Sequence, residues 1–145
     1  MSDHRIHFFL EGISYQLRNK AGLRQWIDMI ITMENEEYHD VNIILCSDEF
    51  LNQLSLTYLS RDHYTDVMTF DFSETDQVAS GDIYISLPRV KDNALKYGIS
   101  LKDEIHRVMV HGILHLLGYD DKRSRDKQRM TEKENLYLSL RTKGL

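Results

Sequence analysis

The sequence predicts an α+β fold in which a short mixed four-stranded sheet packs against several helices. Short runs of β-branched and apolar residues predict the strands, and longer runs with apolar residues at helical spacing predict the helices. The two kinds of element are mixed without a strict strand–helix–strand alternation, which distinguishes this class from a doubly wound α/β fold. The chain of 145 residues fits a single domain, 1–145, large enough to bury a hydrophobic core.

In the first half of the chain, residues 5–10 and 40–46 are predicted to be strands because they are rich in apolar and β-branched residues. The segment 14–17 follows a glycine turn and can pair back onto the first strand. Apolar residues at helical spacing over 20–34 predict an amphipathic helix. A second helix is predicted to begin after Ser47, whose hydroxyl can cap it, with acidic residues in its first turn.

In the second half, two further strands are predicted over 67–72 and 82–87, separated by a polar loop at 73–81. Gly98 is the predicted end of the helix that follows the fourth strand, and Gly118 is the predicted end of the next helix. The three predicted helices cover 89–98, 100–117 and 124–141.

Composition excludes several classes of protein. Hydrophobic residues make up 41% and charged residues 28%, which is a globular balance and not that of a disordered chain. Cys46 stands alone, so no intrachain disulfide can form and a reducing compartment such as the cytoplasm is favoured. The sequence lacks a signal-peptide pattern and any long apolar run, so no membrane partner is expected. A net charge of −5 argues against a nucleic-acid partner on composition alone.

The segment HGILHLLGYDD carries the candidate chemistry. His111 and His115 are four residues apart on a predicted helix, so both imidazoles project from nearly the same face. Gly118 ends the helix and lets the chain reverse, which places Asp121 where metzincin-type sites have their third ligand. Three protein ligands leave a fourth position open for water, as in catalytic zinc sites. The sequence therefore predicts a zincin-like helix that binds one Zn²⁺ ion.

Histidines at this spacing also occur without a metal, either exposed or hydrogen-bonded in a core. The apolar remainder of the helix favours the metal interpretation, because imidazoles in such surroundings need a partner. A zinc ion with an open position predicts hydrolysis. Peptidases of the His-Glu-x-x-His type need a glutamate where this chain has Gly112, which counts against that class. Glu104, two turns earlier on the same face, could act as a base or serve the helix dipole.

A basic run, KRSRDKQR, follows the candidate metal ligands directly. Its residues Lys122, Arg123 and Arg125 would suit a phosphodiester substrate held beside an activated water. A charge run of this kind is more often a solvated helix start, and the sequence leaves both interpretations open.

The same segment resembles the YbeY family of bacterial metallo-endoribonucleases, whose pattern is His-Gly-x-Leu-His-Leu-x-Gly-Tyr-Asp-His. Two further segments, LNQLSLTYLSRDHYTDVMTF (51–70) and SGDIYIS (80–86), are similar to other blocks of that family. The resemblance implies a zinc ion held by three residues of the last motif and cleavage of single-stranded RNA. It implies roles in maturing the 3′ end of small-subunit ribosomal RNA and in ribosome quality control. Ribosomal RNA and the small ribosomal subunit are the implied partners, in the bacterial cytoplasm.

Two departures from the family pattern matter for the site. Asp121 replaces the usual third histidine, and a carboxylate can still bind zinc while leaving room for manganese. Asp120 is then better suited to fixing a ligand or the turn. The family block has Arg after its Tyr, whereas Tyr58 is followed here by Leu59. Arg61 is the candidate catalytic residue that would take over contact with phosphate.

Three functions therefore compete. The first is a zinc-dependent endoribonuclease acting on ribosomal RNA, and the second is another zinc-dependent hydrolase of the peptidase or amidase kind. The third is a ribosome-binding factor with a structural metal, which needs a fourth ligand such as His106, His63 or Asp120. His106 lies five residues before the first histidine of the motif, about 140° off the ligand face, and is a poor candidate.

Overall fold

The computed structural model describes residues 5–59, 65–75 and 78–145, and over these it contains four strands and five helices. The predicted α+β class with a mixed four-stranded sheet is confirmed. In chain order the elements are β1 (Ile6–Glu11), α1 (Lys20–Met33), β2 (Glu37–Cys46), α2 (Asp48–Leu59), β3 (Val67–Asp71), β4 (Val78–Ser86), α3 (Leu87–Tyr97), α4 (Leu101–Leu116) and α5 (Ser124–Ser139).

The sheet has the strand order β1-β2-β4-β3. β2 runs parallel to both β1 and β4, and Ile43 in its centre pairs with Phe8 on one side and Ile83 on the other. β3 and β4 are antiparallel neighbours, with Thr69 opposite Ile83. The apolar residues of β2 and β4 reflect burial of these two central strands on both faces of the sheet. β3 and β1 are left as its two edges.

The predicted strands differ from the structure in several details. β2 begins at Glu37 rather than at residue 40. β4 begins at Val78 rather than at residue 82, because hydrogen bonding to β2 and β3 on both sides draws small polar residues into the strand. Within it, Gly81 lies so close to β3 that a Cβ atom there would overlap the carbonyl oxygen of Phe70. The segment 14–17 forms no strand, and Tyr15 within it packs against the core instead.

The hydrophobic core has two parts, one on each face of the sheet. The larger part lies between the sheet and helices α1, α3, α4 and α5, and seven of the ten buried residues of α4 belong to it. Each fully buried Leu or Ile contributes about 1.5–3 kcal/mol, so this packing holds α4 firmly against the sheet. The smaller part lies under α2 and consists of Ile44, Cys46, Leu51 and Met68.

Several helix ends are fixed by the signals that the sequence contains. Ser47 Oγ accepts a hydrogen bond from the backbone N–H of Phe50, and Ser100 Oγ accepts one from Asp103. These serine caps confirm the predicted starts of α2 and α4. Gly98 follows α3 with a φ of 66°, the left-handed conformation that glycine adopts without strain. Among the helices of the described residues, none combines the length and apolar character needed to cross a membrane.

Candidate metal centre

The structure brings His111, His115 and Asp121 together at the end of α4. The Nε2 atoms of the two histidines are 3.0 Å apart. One carboxylate oxygen of Asp121, Oδ2, lies 3.2 Å from Nε2 of His111 and 3.4 Å from Nε2 of His115. All three side chains are partly buried, and their ligand atoms lie within 4.8 Å of one another, a grouping that could hold a metal ion.

The turn after α4 places Asp121 beside the histidines. Gly118 has a φ of 98°, and its N–H donates to the carbonyl of His115 at 3.1 Å, so the chain reverses immediately after the helix. Asp120 Oδ1 then accepts hydrogen bonds from the backbone N–H groups of Asp121 and Lys122, at 2.7 and 3.3 Å. The bond from Asp121, followed by that from Lys122, lowers the pKa of the Asp120 carboxyl below its ordinary value. Asp120 thus stabilises the turn that presents Asp121.

Glu134, on α5, contacts the ring nitrogen of His111 that faces away from His115 and Asp121. Its Oε2 lies 2.8 Å from Nδ1 of His111, and its Oε1 accepts a hydrogen bond from Arg107 at 3.1 Å. Burial lowers the pKa of His111, but the hydrogen bond and negative charge of Glu134 outweigh this effect, and the net shift is upward. With Nδ1 as the donor to Glu134, the Nε2 lone pair of a neutral His111 faces His115 and Asp121.

The donor set fits a divalent cation. Two imidazole nitrogens and one carboxylate oxygen are typical ligands of Zn²⁺, and the oxygen also suits Mn²⁺. The convergence of two Nε2 atoms and a carboxylate on one point, with one imidazole fixed from behind, is the arrangement that such an ion requires.

Sequence reasoning missed Glu134. The signal was present, because Met130, Glu134 and Tyr137 are the buried residues of α5 and lie at helical spacing. A carboxylate in the middle of a buried stripe needs a partner. The sequence does not reveal that this partner is a histidine of another helix.

Gly112 has a packing role that explains why no glutamate follows His111. A Cβ atom at position 112 would stand 2.5 Å from Cγ2 of Ile83 in β4, so α4 approaches the sheet too closely for a larger side chain. Glu104, the alternative base, is buried and lies outside the wall of the cleft that contains the histidines. Burial raises the pKa of Glu104, and its Oε1 has no hydrogen-bond partner in the part of the chain that the structure describes.

A cleft of about 590 Å³ opens in front of the three candidate ligands. Its walls come from α2, from the edge strand β3 and from the turn after α4. Ser55 of α2 lies in this wall, and its Oγ is buried without a hydrogen-bond partner among the described residues. The charged residues of the wall, apart from the histidines, are Asp66, Asp71, Asp121 and Lys122, so acidic groups outnumber basic ones among the residues described.

The other predicted site residues are distributed unevenly. Lys122 lines the cleft, Arg123 stands at the start of α5, and Arg125 lies on a separate surface of that helix. Arg61 and His63 fall outside the described residues.

His106 lies on another face of α4 and is not grouped with the candidate ligands, as the sequence predicted. Its ring packs on Trp26, its Nδ1 accepts a hydrogen bond from Arg141 at 2.9 Å, and burial lowers its pKa to about 4.

The mixed sheet, the buried helix with its histidine pair and the carboxylate after the glycine turn define an α+β protein with a zincin-like candidate metal centre. Comparison with known proteins then gives the family. The family model described as Endoribonuclease YbeY matches residues 11–141. The chain belongs to the YbeY endoribonuclease family, as its motifs predicted.

Individual relatives agree with this assignment over nearly the whole chain. The chain is 47% identical over 141 residues to Endoribonuclease YbeY of Cytophaga hutchinsonii, an alignment that covers 97% of this chain and 99% of the relative. It is 41% identical to Endoribonuclease YbeY of Amoebophilus asiaticus, with 95% and 94% covered. The solution structure of TM1509 from Thermotoga maritima matches with a TM-score of 0.66 at 30% identity, over 91% of this chain and 87% of that one.

Proposed function

We propose that the protein is a zinc-dependent endoribonuclease that cleaves single-stranded RNA. Its proposed role is maturation of the 3′ end of small-subunit ribosomal RNA and ribosome quality control, on the small ribosomal subunit in the bacterial cytoplasm. The observation that carries the proposal is the convergence of His111, His115 and Asp121 in a chain whose family is named for endoribonuclease activity.

In this proposal, His111, His115 and Asp121 hold one Zn²⁺ ion at the wall of the cleft. The bound ion supplies Lewis acidity, which lowers the pKa of water and polarises a phosphoryl oxygen. Glu134 keeps the imidazole of His111 in one orientation through Nδ1, so that Nε2 remains available as a ligand atom. Asp121 contributes a negative charge where the family pattern has a neutral histidine, which makes the site a slightly weaker Lewis acid.

The substrate backbone is proposed to contact basic residues around the cleft. Lys122 supports this proposal because it lines the cleft beside Asp121. Arg123 and Arg125 follow it along the chain and would contact phosphates further from the scissile bond. Arg61 is retained as the candidate catalytic contact to the scissile phosphate, since guanidinium groups bind phosphate in a bidentate manner.

The test compares metal content and RNA cleavage in the same preparations. Wild type should carry about one ion per chain, because one set of three ligands binds one ion. It should also cut single-stranded RNA but not duplex RNA. His115→Ala and Asp121→Ala should lose ion and cleavage together. His39→Ala, which removes an exposed histidine of β2, is the matched control and should retain both.

Three results would contradict the proposal in different ways. Zinc-loaded wild type that leaves RNA intact but cleaves a peptide or amide substrate would favour the second kind of hydrolase. Protein that cleaves neither substrate, yet binds small ribosomal subunits only when the metal is present, would favour a binding factor with a structural metal. Undiminished cleavage by Asp121→Ala would show that the third ligand lies elsewhere.

A further inference from the structure

Three aromatic residues, Tyr58, Phe70 and Phe72, form what we call the aromatic strip. Phe70 of β3 lines the cleft of the candidate metal centre. The ring of Tyr58, at the end of α2, packs edge-on against Phe70, with ring centroids 5.4 Å apart and planes at 74°. Phe72 continues the strip beyond β3, since its N–H donates to the carbonyl of Ser80 at 2.8 Å and extends the ladder. Residues two apart on a strand point to the same face, so Phe72 lies on the side of Phe70.

The strip is exposed to an unusual degree for aromatic side chains. Tyr58 is 66% exposed and Phe72 is 59% exposed, although both rings could bury a large apolar area. A single exposed apolar residue needs no explanation, but grouped aromatics that lead into a cleft mark a ligand-binding surface. The flat faces of such rings are suited to stacking on other planar groups.

The charge of the cleft indicates which part of an RNA this surface would recognise. Apart from the candidate metal ligands, the described charged residues of the wall are Asp66, Asp71 and Lys122, so the phosphate backbone gains little attraction on the β3 side of the cleft. Bases carry no charge, and each unpaired base can stack on an aromatic ring with a substantial gain in affinity. The strip therefore offers binding energy on the β3 side of the cleft, in addition to the phosphate contacts proposed for the basic residues.

We propose that the aromatic strip stacks unpaired bases of RNA next to the scissile phosphate. This inference rests on the proposed endoribonuclease function and adds the subsite that holds the substrate. In a duplex the base faces are covered by neighbouring base pairs, so the strip accepts single strands and discriminates against helices. The strip begins at Phe70 in the cleft wall, so a base on Tyr58 or Phe72 belongs to a nucleotide close to the bond that is cut.

The experiment uses the full-length, zinc-loaded protein and two readouts. The first is kcat and KM for cleavage of a single-stranded RNA oligonucleotide. The second is the Kd for a single-stranded DNA oligonucleotide of the same base sequence, measured by fluorescence anisotropy, with a copy that carries abasic sites as the comparison. The variants are Tyr58→Ala, Phe72→Ala and the conservative Tyr58→Phe. Phe9→Ala is the matched control, because Phe9 is 52% exposed on β1, the opposite edge of the sheet.

We expect Tyr58→Ala and Phe72→Ala to raise both KM and Kd roughly tenfold, in line with the loss of one stacked base, and to leave kcat and zinc content unchanged. Tyr58→Phe and Phe9→Ala should match wild type. The abasic oligonucleotide should bind wild type as weakly as it binds the alanine variants. The difference between wild type and variants should persist at high salt, because stacking does not depend on counterion release.

Unchanged KM and Kd in the two alanine variants would overturn the inference while leaving the endoribonuclease proposal intact. A wild type that binds the DNA through the strip but cuts no RNA would overturn the endoribonuclease proposal and not the stacking site. If the variants keep their affinity for both oligonucleotides and lose affinity for ribosomal proteins, the strip is a protein-binding surface and the inference is wrong.

Discussion

Glu134 of α5 and His111 of α4 are joined by a hydrogen bond of 2.8 Å between Oε2 and Nδ1. The bond crosses a helix–helix interface, and Arg107 of α4 donates a second hydrogen bond across it to Oε1 of Glu134. Two helices must therefore pack correctly before His111 presents its Nε2 atom in the direction of His115 and Asp121. Such a carboxylate behind an imidazole fixes its tautomer and raises its basicity as a ligand.

The first prediction concerns the metal affinity that this bond supports. Glu134→Gln and Glu134→Ala should weaken zinc binding by about 10–100-fold, as is usual when the partner of a ligating histidine is removed. Competition with a chromophoric chelator measures the affinity, and urea denaturation checks that the variants are folded. Glu132→Gln, on an exposed position of the same helix, is the control and should bind zinc like wild type. Equal affinities in all variants would show that Glu134 has only a structural role.

The second prediction separates the two neighbouring aspartates. Asp121→His should keep the metal, because an imidazole at this position restores the pattern of the family and remains a good zinc ligand. Asp120→Ala should also keep the metal, since Asp120 bonds to the backbone of the turn. Metal content after dialysis, measured by atomic emission, gives the answer. Loss of the ion in Asp120→Ala with retention in Asp121→Ala would reverse the assignment of the two residues.

The third prediction follows from the close approach of α4 to the sheet. Gly112→Ala places a methyl group against Ile83 and should destabilise the protein by about 1–3 kcal/mol, the usual cost of overpacking. The free energy of unfolding in urea is the measurement. Thr131→Ala, at an exposed position of α5, should change it by less than about 0.5 kcal/mol. A Gly112→Ala protein as stable as wild type would show that the sheet yields easily at this point.

These results explain why part of the site was predictable from sequence. His111, His115 and Asp121 lie within one helix and the turn that follows it, so helical geometry and the stop at Gly118 bring them together locally. Glu134 is 23 residues from His111 along the chain, and only the packing of α5 on α4 joins them. Sequence periodicity marks Glu134 as buried, but it does not identify the partner.

The strands show the same division between local and tertiary causes. Apolar and β-branched runs predicted the four strands and the mixed sheet, because such residues fill a buried sheet whatever its order. The start of β4 at Val78 depends on pairing with β2 and β3, which no local pattern reports. The need for glycine at positions 112 and 81 also has a tertiary cause, because the atoms that crowd them belong to Ile83 and Phe70, on other elements.

The fourth prediction concerns Glu34, which anchors the turn after α4 to the end of α1. Tyr119 and Tyr137 donate hydrogen bonds to its carboxylate, and Lys133 lies 3.0 Å from Oε2. Burial raises the pKa of Glu34, but these donors together outweigh it, so the pKa is lowered from its ordinary value of 4.5. A lowered pKa means that the ionised carboxylate stabilises the fold above pH 4.5, and that this stabilisation is lost as the pH falls through the folded pKa.

Urea denaturation of wild type and Glu34→Gln over a pH series tests this expectation. Glu34→Gln should be less stable than wild type at pH 7, and the difference should shrink as the pH falls below 4.5. The control is Glu37→Gln, because Glu37 is exposed at the start of β2. A gap between wild type and Glu34→Gln that does not change with pH would contradict the electrostatic origin of the effect.

The fifth prediction concerns Glu104, whose pKa is shifted upward, in the opposite direction to that of Glu34. Burial raises its pKa from the ordinary value of 4.5, nearby Asp66 and Glu134 add to the shift, and Arg107 opposes it. In such a case the unfolded chain releases its proton first, so the stability of the fold decreases as the pH rises from 4.5 to the folded pKa and then stays level. Glu104→Gln should remove this decrease and stabilise the protein at pH 7 by roughly 1 kcal/mol, because a buried unpaired carboxylate oxygen is costly. Thermal and urea unfolding between pH 4 and pH 8 measure the effect beside the exposed control Glu132→Gln, and a Glu104→Gln protein less stable than wild type at pH 7 would show that the carboxylate has a stabilising partner.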